Sequence, residues 1–431
     1  METMRVIVIG SGIGGAATAY HLAARGAEVV AVDAPRPGVA TEAGAGIVSP
    51  WTSRWDNQIY PLAAAAGAYY PELAAALAEQ GQQTSYEVVG GMVVSESAAE
   101  LDEAEALLLS RVADAPGAGK VSRLDPDQAR SLFPLLAPDL GAVHLSGAGR
   151  VDGRRIRRAL IAAAKQRGAR FVRAMASLLP NVPAIAGTGA AGPVVGTGTA
   201  EPVAGRGTAR SVAGTGAAGP VAESGTAGLV GEPGSGAPLT TANGRWRVTA
   251  GGEELTADAV VLAAGAWSAA VAERLGLVVP VAPQRGQITH FELPGTDTAA
   301  WPVVLPRSSH YLLSFPGGHV VAGATRETGS GFDHRVTAAG QREVLDHALA
   351  VAPGLADSTL AETRIGFRPA TPDTLPLLGP IDAHPGLWLA TGFGPAGLTL
   401  APYAGKLIAD LILGGDVPAD LLAPCSPARF G

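Results

Sequence analysis

The sequence predicts an α/β chain in two parts, one built on a parallel sheet of the Rossmann-like kind and one on an antiparallel sheet. Three observations predict it. A strand, a glycine-rich turn, a helix and a second strand follow one another within about 30 residues at the N-terminus, the size of a βαβ crossover. Short β-branched and aromatic runs at 288–293, 311–315 and 319–324, separated by turn residues, suit antiparallel strands. The length of 431 residues exceeds what one hydrophobic core supports, so two domains with interleaved segments are expected.

The elements follow in order. Residues 5–9 are a β-branched strand that runs into Gly10-Ser11-Gly12-Ile13-Gly14-Gly15, and an alanine-rich helical stretch, 16–25, ends at Gly26. Residues 28–32 form the second strand, closed by Asp33 and the breakers Pro35 and Pro37. The apolar stretch 6–22 is interrupted by glycines and preceded only by Arg5, so a buried strand and helix explain it better than a secretory signal. No other window has the unbroken apolar length of a membrane span, and a soluble, cytoplasmic protein is expected.

Residues 59–109 alternate helical patterns with one strand-like piece, 87–95, and 124–133 reads as a helix. A basic helix at 151–168 carries Arg154, Arg155, Arg157, Arg158 and Lys165, read as a solvated face, and a strand follows at 170–174. From 181 to 238 the composition shifts to Gly, Ala, Thr, Val and Pro without aromatics, and the octapeptide at 187–194 recurs unchanged at 214–221. Such a segment cannot offset its ordering entropy, and the repeat lacks a hydrophobic unit to stack as a solenoid. It is expected to be a disordered insertion that function does not need.

Strands resume at 245–250 and 259–263, the second entering the turn Ala264-Gly265-Ala266-Trp267-Ser268. After the antiparallel strands comes a helix at 338–351. A strand at 387–391, the turn Gly392-Phe393-Gly394-Pro395-Ala396-Gly397 and a helix at 398–413 close the chain.

Composition narrows the function. With 31 Lys and Arg against 38 Asp and Glu the net charge is −7, and no long basic run occurs, so neither nucleic acid nor an anionic membrane is an expected partner. Cys425 is the single cysteine, which excludes an internal disulfide framework and a cysteine metal cluster. No metal site is expected.

The first glycine turn has a specific physics. Gly10 permits the tight turn off the strand, Gly12 lets the backbone approach a pyrophosphate, and Gly15 lets helix and strand pack closely. Around Ile13 and Gly14, free N–H groups at the helix start face the anion. Asp33, followed by Ala34, ends the next strand, where a carboxylate accepts hydrogen bonds from ribose hydroxyls and repels a 2′-phosphate. This motif does not choose between NAD and FAD.

Further segments, in order, resemble the D-amino-acid oxidase and glycine oxidase family of flavoproteins, with its D-amino acid dehydrogenase branch. They are Val260 through Ser268; Gly323-Ala324-Thr325-Arg326-Glu327 with Gly331-Phe332-Asp333; Gly366-Phe367-Arg368-Pro369 with Thr371 through Pro376; and Gly392 through Pro402. The resemblance implies non-covalent FAD, since no cysteine lies in the body of the chain for covalent attachment. It implies an FAD-binding domain from segments 1–85, 145–180, 239–275 and 365–431, a substrate domain from 86–144 and 276–364, and 181–238 as the insertion. Gly265 and Trp267 match a second FAD segment. Gly394, Pro395, Ala396, Gly397, Leu398 and Thr399 match the closing flavin segment, whose helix start stabilises the reduced flavin; a helix-capping loop is the alternative reading.

For substrate, the resemblance points to Arg368 as the bidentate partner of a carboxylate, with Tyr311 touching the same group. A structural ion pair is the alternative for Arg368. Strand alternation turns His310 away from what Tyr311 faces, so His310 reads as structural. The stretch 41–54 resembles the segment beside the flavin ring, with Gly44 and Gly46 allowing close approach and Trp51, Arg54 and Trp55 lining the pocket; an amphipathic helix start explains the last three equally well. Two departures stand out: Pro395 where some amine-oxidising relatives have a second basic residue, and Asp33 where the family often has glutamate.

The activity implied is oxidation of an amino acid, D- or glycine-like, by hydride transfer from the amine-bearing carbon to flavin N5. The imine then hydrolyses to a 2-oxo acid and ammonia. Positioning matters more than a strong base, and no catalytic base is assigned. The electron acceptor is oxygen or a quinone. Rival readings are oxidation of a secondary amine, oxidation of a 2-hydroxy acid, and flavin binding without catalysis.

Overall fold

The computed structural model describes residues 3–54, 58–179 and 245–430. The low-complexity segment 181–238 and Trp55 lie outside the described residues.

Five parallel strands and one antiparallel edge strand make a six-stranded sheet. Its spatial order is Leu377–Pro380, Leu387–Thr391, Ala259–Leu262, Arg5–Ile9, Glu28–Asp33 and Arg170–Arg173. Only the edge strand Leu377–Pro380 runs antiparallel to its neighbour. Register pairs Val6 with Val29 on one side and Ala259 on the other. The central strands are apolar throughout because a parallel sheet is covered on both faces.

Strand alternation then assigns the faces. Val6, Val8, Val29 and Ala31 join one core with the helices Ile13–Ala24, Tyr60–Glu79, Gly153–Gln166 and Gly397–Ile412. Ile7, Ile9, Val30 and Val32 join a second core under a three-stranded sheet of Ala176–Leu178, Trp246–Ala250 and Glu253–Ala257, capped by the fully buried Trp246. The glycine turn between Ile9 and Ile13 thus emerges at the carboxyl end of the central strand, where ligands of such sheets bind.

The second large sheet has eight strands, in the order Thr359–Ala370, Ala282–Glu292, His319–Gly323, Tyr311–Phe315, Val303–Pro306, Gly91–Ser95, Gly141–Leu145 and Val121–Leu124. It is antiparallel as expected, except that Val303–Pro306 and Gly91–Ser95 pair in parallel. The helix Ala338–Val351 covers one face through Val344 and Ala348, against Phe291, Leu312, Val320 and Ala322. On the other face Ile288, Leu313 and Val321 pack with Ala45. That face looks towards the glycine turns.

Local differences from the sequence reading have local causes. The expected helix at 124–133 is present but shorter, Pro126–Leu132, because the strand Val121–Leu124 runs up to it. Asp125 caps that helix through Gln128 in a capping box, and Pro126 begins it. The expected strand at 87–95 divides at Val89 and Gly90 into Glu87–Val88 and Gly91–Ser95, which belong to different sheets. Among the described residues no helix is long and apolar enough to cross a membrane.

Candidate active site

The strand Arg5–Ile9 ends in Gly10, whose φ of 101° lies in the left-handed region, and Gly10 N–H donates to the Val32 carbonyl at 2.8 Å. A side chain on Gly15 would put its Cβ 2.0 Å from the Gly10 carbonyl oxygen, so the third glycine is fixed by helix against strand. Gly12 begins the helix Ile13–Ala24 without any side-chain cap. Thr41 takes the Ile13 N–H at 3.0 Å, and the turn borders a cavity of about 650 Å³.

Asp33 sits at the same opening. Its Oδ2 accepts a hydrogen bond from Ser11 Oγ at 2.6 Å, while Arg157 Nη2 stands 3.5 Å from it. Arg157 also donates to the Ser11 carbonyl at 2.6 Å and to Ser11 Oγ at 2.9 Å, and pairs with Glu42 at 3.1 Å. The basic helix is therefore not simply a solvated face: Arg157 reaches inward and ties Ser11 and Asp33 together. Helical pattern in the sequence shows which face is polar but not what that face meets.

The cavity runs between the two sheets. From the six-stranded side it is walled by Gly10, Gly12, Ile13, Gly14, Asp33 and Ala34. The turn after Ala259–Leu262 adds Gly265 and Trp267, and the closing turn and helix add Gly394, Pro395, Ala396, Gly397, Leu398 and Thr399. Of the glycines in the first turn, Gly15 is not on the wall, in keeping with its packing role. Gly265 and Gly394, with φ of 56° and 51°, face open space where a side chain would otherwise project.

Four contacts hold these turns in place. Trp267 stacks on Phe332, with centroids 4.9 Å apart, and lies edge-on to Phe367. Thr399 Oγ1 donates to the Ile47 carbonyl at 2.9 Å. Tyr70 O–H donates to the Leu398 carbonyl. Gly46 borders the cavity as expected, but its reason is internal: at φ 98° a Cβ there would lie 1.7 Å from the Val151 carbonyl.

The residues present fit FAD. A long cavity wall of backbone turns, a helix start with glycine at its N-cap and a carboxylate at the end of the second strand suit a dinucleotide. Gly10 and Gly12 would sit against the pyrophosphate, Asp33 against the ribose, and the turn Gly394–Ala396 against the flavin. The buried Cys425 is not on the cavity wall.

On the eight-stranded side Arg368 and Tyr311 enter the same cavity. Each lies over a glycine, and Gly286 has no motif in the sequence to mark it. The Arg368 guanidinium crosses Gly286, where a Cβ would be 2.7 Å from Nη1, and the Tyr311 ring covers its cross-strand partner Gly323, where a Cβ would be 2.6 Å from the hydroxyl. Arg368 Nη1 donates to the Thr325 carbonyl at 2.8 Å. Burial lowers the affinity of Arg368 for its proton, and burial raises the Tyr311 hydroxyl to about 12, against the opposing pull of Arg368 and Arg326. Tyr311 is therefore a protonated donor.

Contrary to the expectation from strand alternation, His310 borders the same cavity as Tyr311, although its ring also meets the helix behind. Its ring stacks on His347 with centroids 3.7 Å apart, and Nε2 is 3.5 Å from Glu343. Arg54 lines the cavity as expected and donates through Nη2 to the Arg307 carbonyl at 2.7 Å. Trp51 is buried against Val93, Leu101 and Leu108 and does not reach the cavity wall. Arg326, of the Gly323–Glu327 motif, also lines the cavity. Among the described residues no group of three or more His, Cys, Asp or Glu side chains could hold a metal ion.

The chain is similar to known proteins over nearly its whole length. The chain is 40% identical over 425 residues to the oxidoreductase YurR of Bacillus subtilis (strain 168), covering 98% of each chain. It is 29% identical over 432 residues to the glycine oxidase of Pseudomonas putida, covering 99% of each. The crystal structure of iminodiacetate oxidase from Chelativorans sp. BNC1 superposes with a TM-score of 0.81 at 40% identity, covering 98% of this chain and 99% of that one. Residues 5–205 and 235–411 match the family described as FAD dependent oxidoreductase, and with its turns, its acid and its two sheets in that arrangement the chain belongs to this family of FAD-dependent enzymes acting on amine or amino-acid donors.

Proposed function

We propose that the enzyme oxidises the carbon–nitrogen bond of a small amino acid, with a primary or a secondary amine, whose carboxylate is held by Arg368 and Tyr311. One observation carries the reading: Arg368 is fixed over Gly286 with Nη1 on the Thr325 carbonyl, and among the described residues its Nε and Nη2 make no hydrogen bond. A guanidinium so placed is ready for a carboxylate. The Tyr311 hydroxyl, protonated at neutral pH, is a second donor.

Bound FAD supplies the acceptor for the hydride that leaves the carbon beside the nitrogen. The chain's part is placement and charge. Arg368 and Arg326 raise the local potential and favour the neutral amine, the form that can give up hydride. Trp267 and Phe367 supply an apolar wall that limits water. The resulting imine hydrolyses to a 2-oxo acid or aldehyde and ammonia or an amine. No side chain is assigned as a base. Similarity to glycine oxidases and to iminodiacetate oxidase supports both amine classes.

The test is anaerobic reduction of the flavin by glycine, N-methylglycine and D- and L-amino acids, with 2-hydroxy acids as controls, followed by air. Reduction by amines with release of ammonia or an amine is expected. Reduction by 2-hydroxy acids alone would overturn the assignment. Fast reoxidation in air identifies oxygen as acceptor; slow reoxidation in air with fast reoxidation by a quinone identifies the other.

A further inference from the structure

Arg326 lies between two residues that are tied down. Thr325 Oγ1 donates to Glu327 Oε1 at 2.7 Å, and Glu327 also accepts from Arg285 Nη2 at 2.6 Å and from Gln287 Nε2 at 2.8 Å. Arg285 and Glu327 exchange backbone hydrogen bonds of 3.1 and 2.9 Å, an antiparallel bridge that holds this stretch extended. Successive side chains of an extended chain point to opposite sides, so Arg326 projects away from that network and into the cavity shared with Arg368 and Tyr311.

Arg326 is a solvent-exposed side chain on that wall, with no acidic group among the described residues facing it. Among the described residues Arg326 makes no hydrogen bond or ion pair, whereas Arg285, on the other side of the strand, is satisfied by Glu327 and Asp333. Asp33 is the one acidic residue on the cavity wall among the described residues, and Ser11 and Arg157 engage it. The positive field of Arg326 bears on Arg368, Tyr311 and His310. Arg36 and Arg54 bring the guanidiniums on the same wall to four. A single carboxylate satisfies one guanidinium in a bidentate pair and leaves the second to water.

We propose that Arg326 anchors a second carboxylate, so that the preferred substrates are amines carrying two carboxylates, one on Arg368 and one on Arg326. This rests on the amine-oxidation reading above. The second acid group is borne either on the nitrogen, as in N-(carboxymethyl)glycine, or on the side chain, as in aspartate. In the first case one C–H bond beside nitrogen breaks, its electron pair leaves as hydride to the bound FAD and the nitrogen releases its proton. Water then cleaves the C=N bond, giving a 2-oxo acid and a primary amino acid that keeps the other carboxylate. In the second the products are a dicarboxylic 2-oxo acid and ammonia.

The experiment compares holoenzyme with Arg326→Gln and Arg326→Lys. Substrates are N-(carboxymethyl)glycine and D- and L-aspartate against N-methylglycine and D- and L-alanine, by kcat/KM for flavin reduction. Thiodiacetate and methylthioacetate, which lack an amine, serve as ligands followed by perturbation of the flavin spectrum. Bound flavin per chain confirms that each variant is folded. The dicarboxylates are expected to be favoured at least tenfold over their monocarboxylate counterparts in both assays. Arg326→Gln should reduce that ratio tenfold or more, with partial rescue by lysine. The aspartate arm against the N-carboxymethyl arm identifies where the second acid is borne. A ratio near one in the native enzyme, or a ratio unmoved in Arg326→Gln, overturns the second anchor while amine oxidation stands. No reduction by any amine removes both readings.

Discussion

Arg157 grips Ser11 at two atoms, donating from Nε to the carbonyl at 2.6 Å and from Nη2 to Oγ at 2.9 Å. Ser11 passes the connection on, because its hydroxyl donates to Asp33 Oδ2 at 2.6 Å. One guanidinium on the helix Gly153–Gln166 thereby fixes both the backbone of the glycine turn and the orientation of the carboxylate at the end of the second strand. Loss of hydrogen bonds to a charged group costs about 1.5–3 kcal/mol. Arg157→Ala is expected to weaken FAD binding about 10- to 100-fold, read by titrating apoprotein with FAD and following flavin fluorescence. Lysine restores charge without the two-pronged geometry and should recover only part. Equal affinity in all three proteins would show that Arg157 does not organise the turn.

Two glycines separate cofactor binding from substrate binding. In Gly15→Ala the new methyl meets the Gly10 carbonyl at 2.0 Å, and backbone atoms on both sides cannot yield cheaply. Overpacking of this kind costs about 1–3 kcal/mol, and here it separates helix from strand at the cofactor turn. The variant should be isolated with little flavin and a lowered Tm. In Gly286→Ala the methyl meets the far end of Arg368, a flexible group that can move aside. That variant should keep its flavin and lose carboxylate binding, seen as a raised KM. If both variants behave alike, Gly286 does not act through Arg368.

Local pattern carried much of the fold. The alternation of apolar runs and glycine turns marked both strands of the first βαβ unit and the strands Ala259–Leu262 and Leu387–Thr391, because a strand buried on both faces has an unmistakable composition. Several strands escaped it, among them these two. Val303–Pro306 is four residues long and ends in proline, and Gly141–Leu145 has no neighbour in sequence with which it pairs as a simple hairpin across a tight turn. Their partners are set by tertiary contact. The site divides the same way. Glycine turns are legible because their geometry is local, whereas Arg157 and Arg326 look like surface cations until the strands place Ser11, Asp33 and Arg368 beside them.

Arg368 and Tyr311 should differ in what their loss does. Arg368→Ala removes the charged partner of the carboxylate, and a charge-assisted pair of about 1.5–3 kcal/mol corresponds to a 10- to 100-fold fall in kcat/KM. Lysine at this position supplies charge without a bidentate face and should recover less than half of the lost free energy. Tyr311→Phe removes one neutral donor but leaves the ring over Gly323, so about tenfold or less is expected. The discriminating substrate is an amine without a carboxylate: its kcat/KM should not fall in Arg368→Ala. A parallel fall on that substrate would mean that Arg368 shapes the cavity rather than binding the acid.

Three buried histidines give the protein a particular acid response. Burial lowers His21 and His290 to about 3 and His310 to about 4. In the unfolded chain a histidine titrates near 6.5. Between those values the unfolded state binds protons that the folded state refuses, so stability is complete above about pH 6.5 and declines as pH falls towards the folded values. Each such histidine contributes up to about 1.4 kcal/mol per pH unit in that window. A Tm measured from pH 8 to 4 should be level at the alkaline end and begin to fall near pH 6.5, before the carboxylates titrate. Stacked on His319 with an Nδ1 to Nε2 distance of 2.8 Å, His290 is the informative site. His290→Gln keeps a polar partner for His319 and removes one titrating group, so its curve should start lower and descend less steeply. Parallel curves for the two proteins would mean that His290 does not stay neutral in the fold.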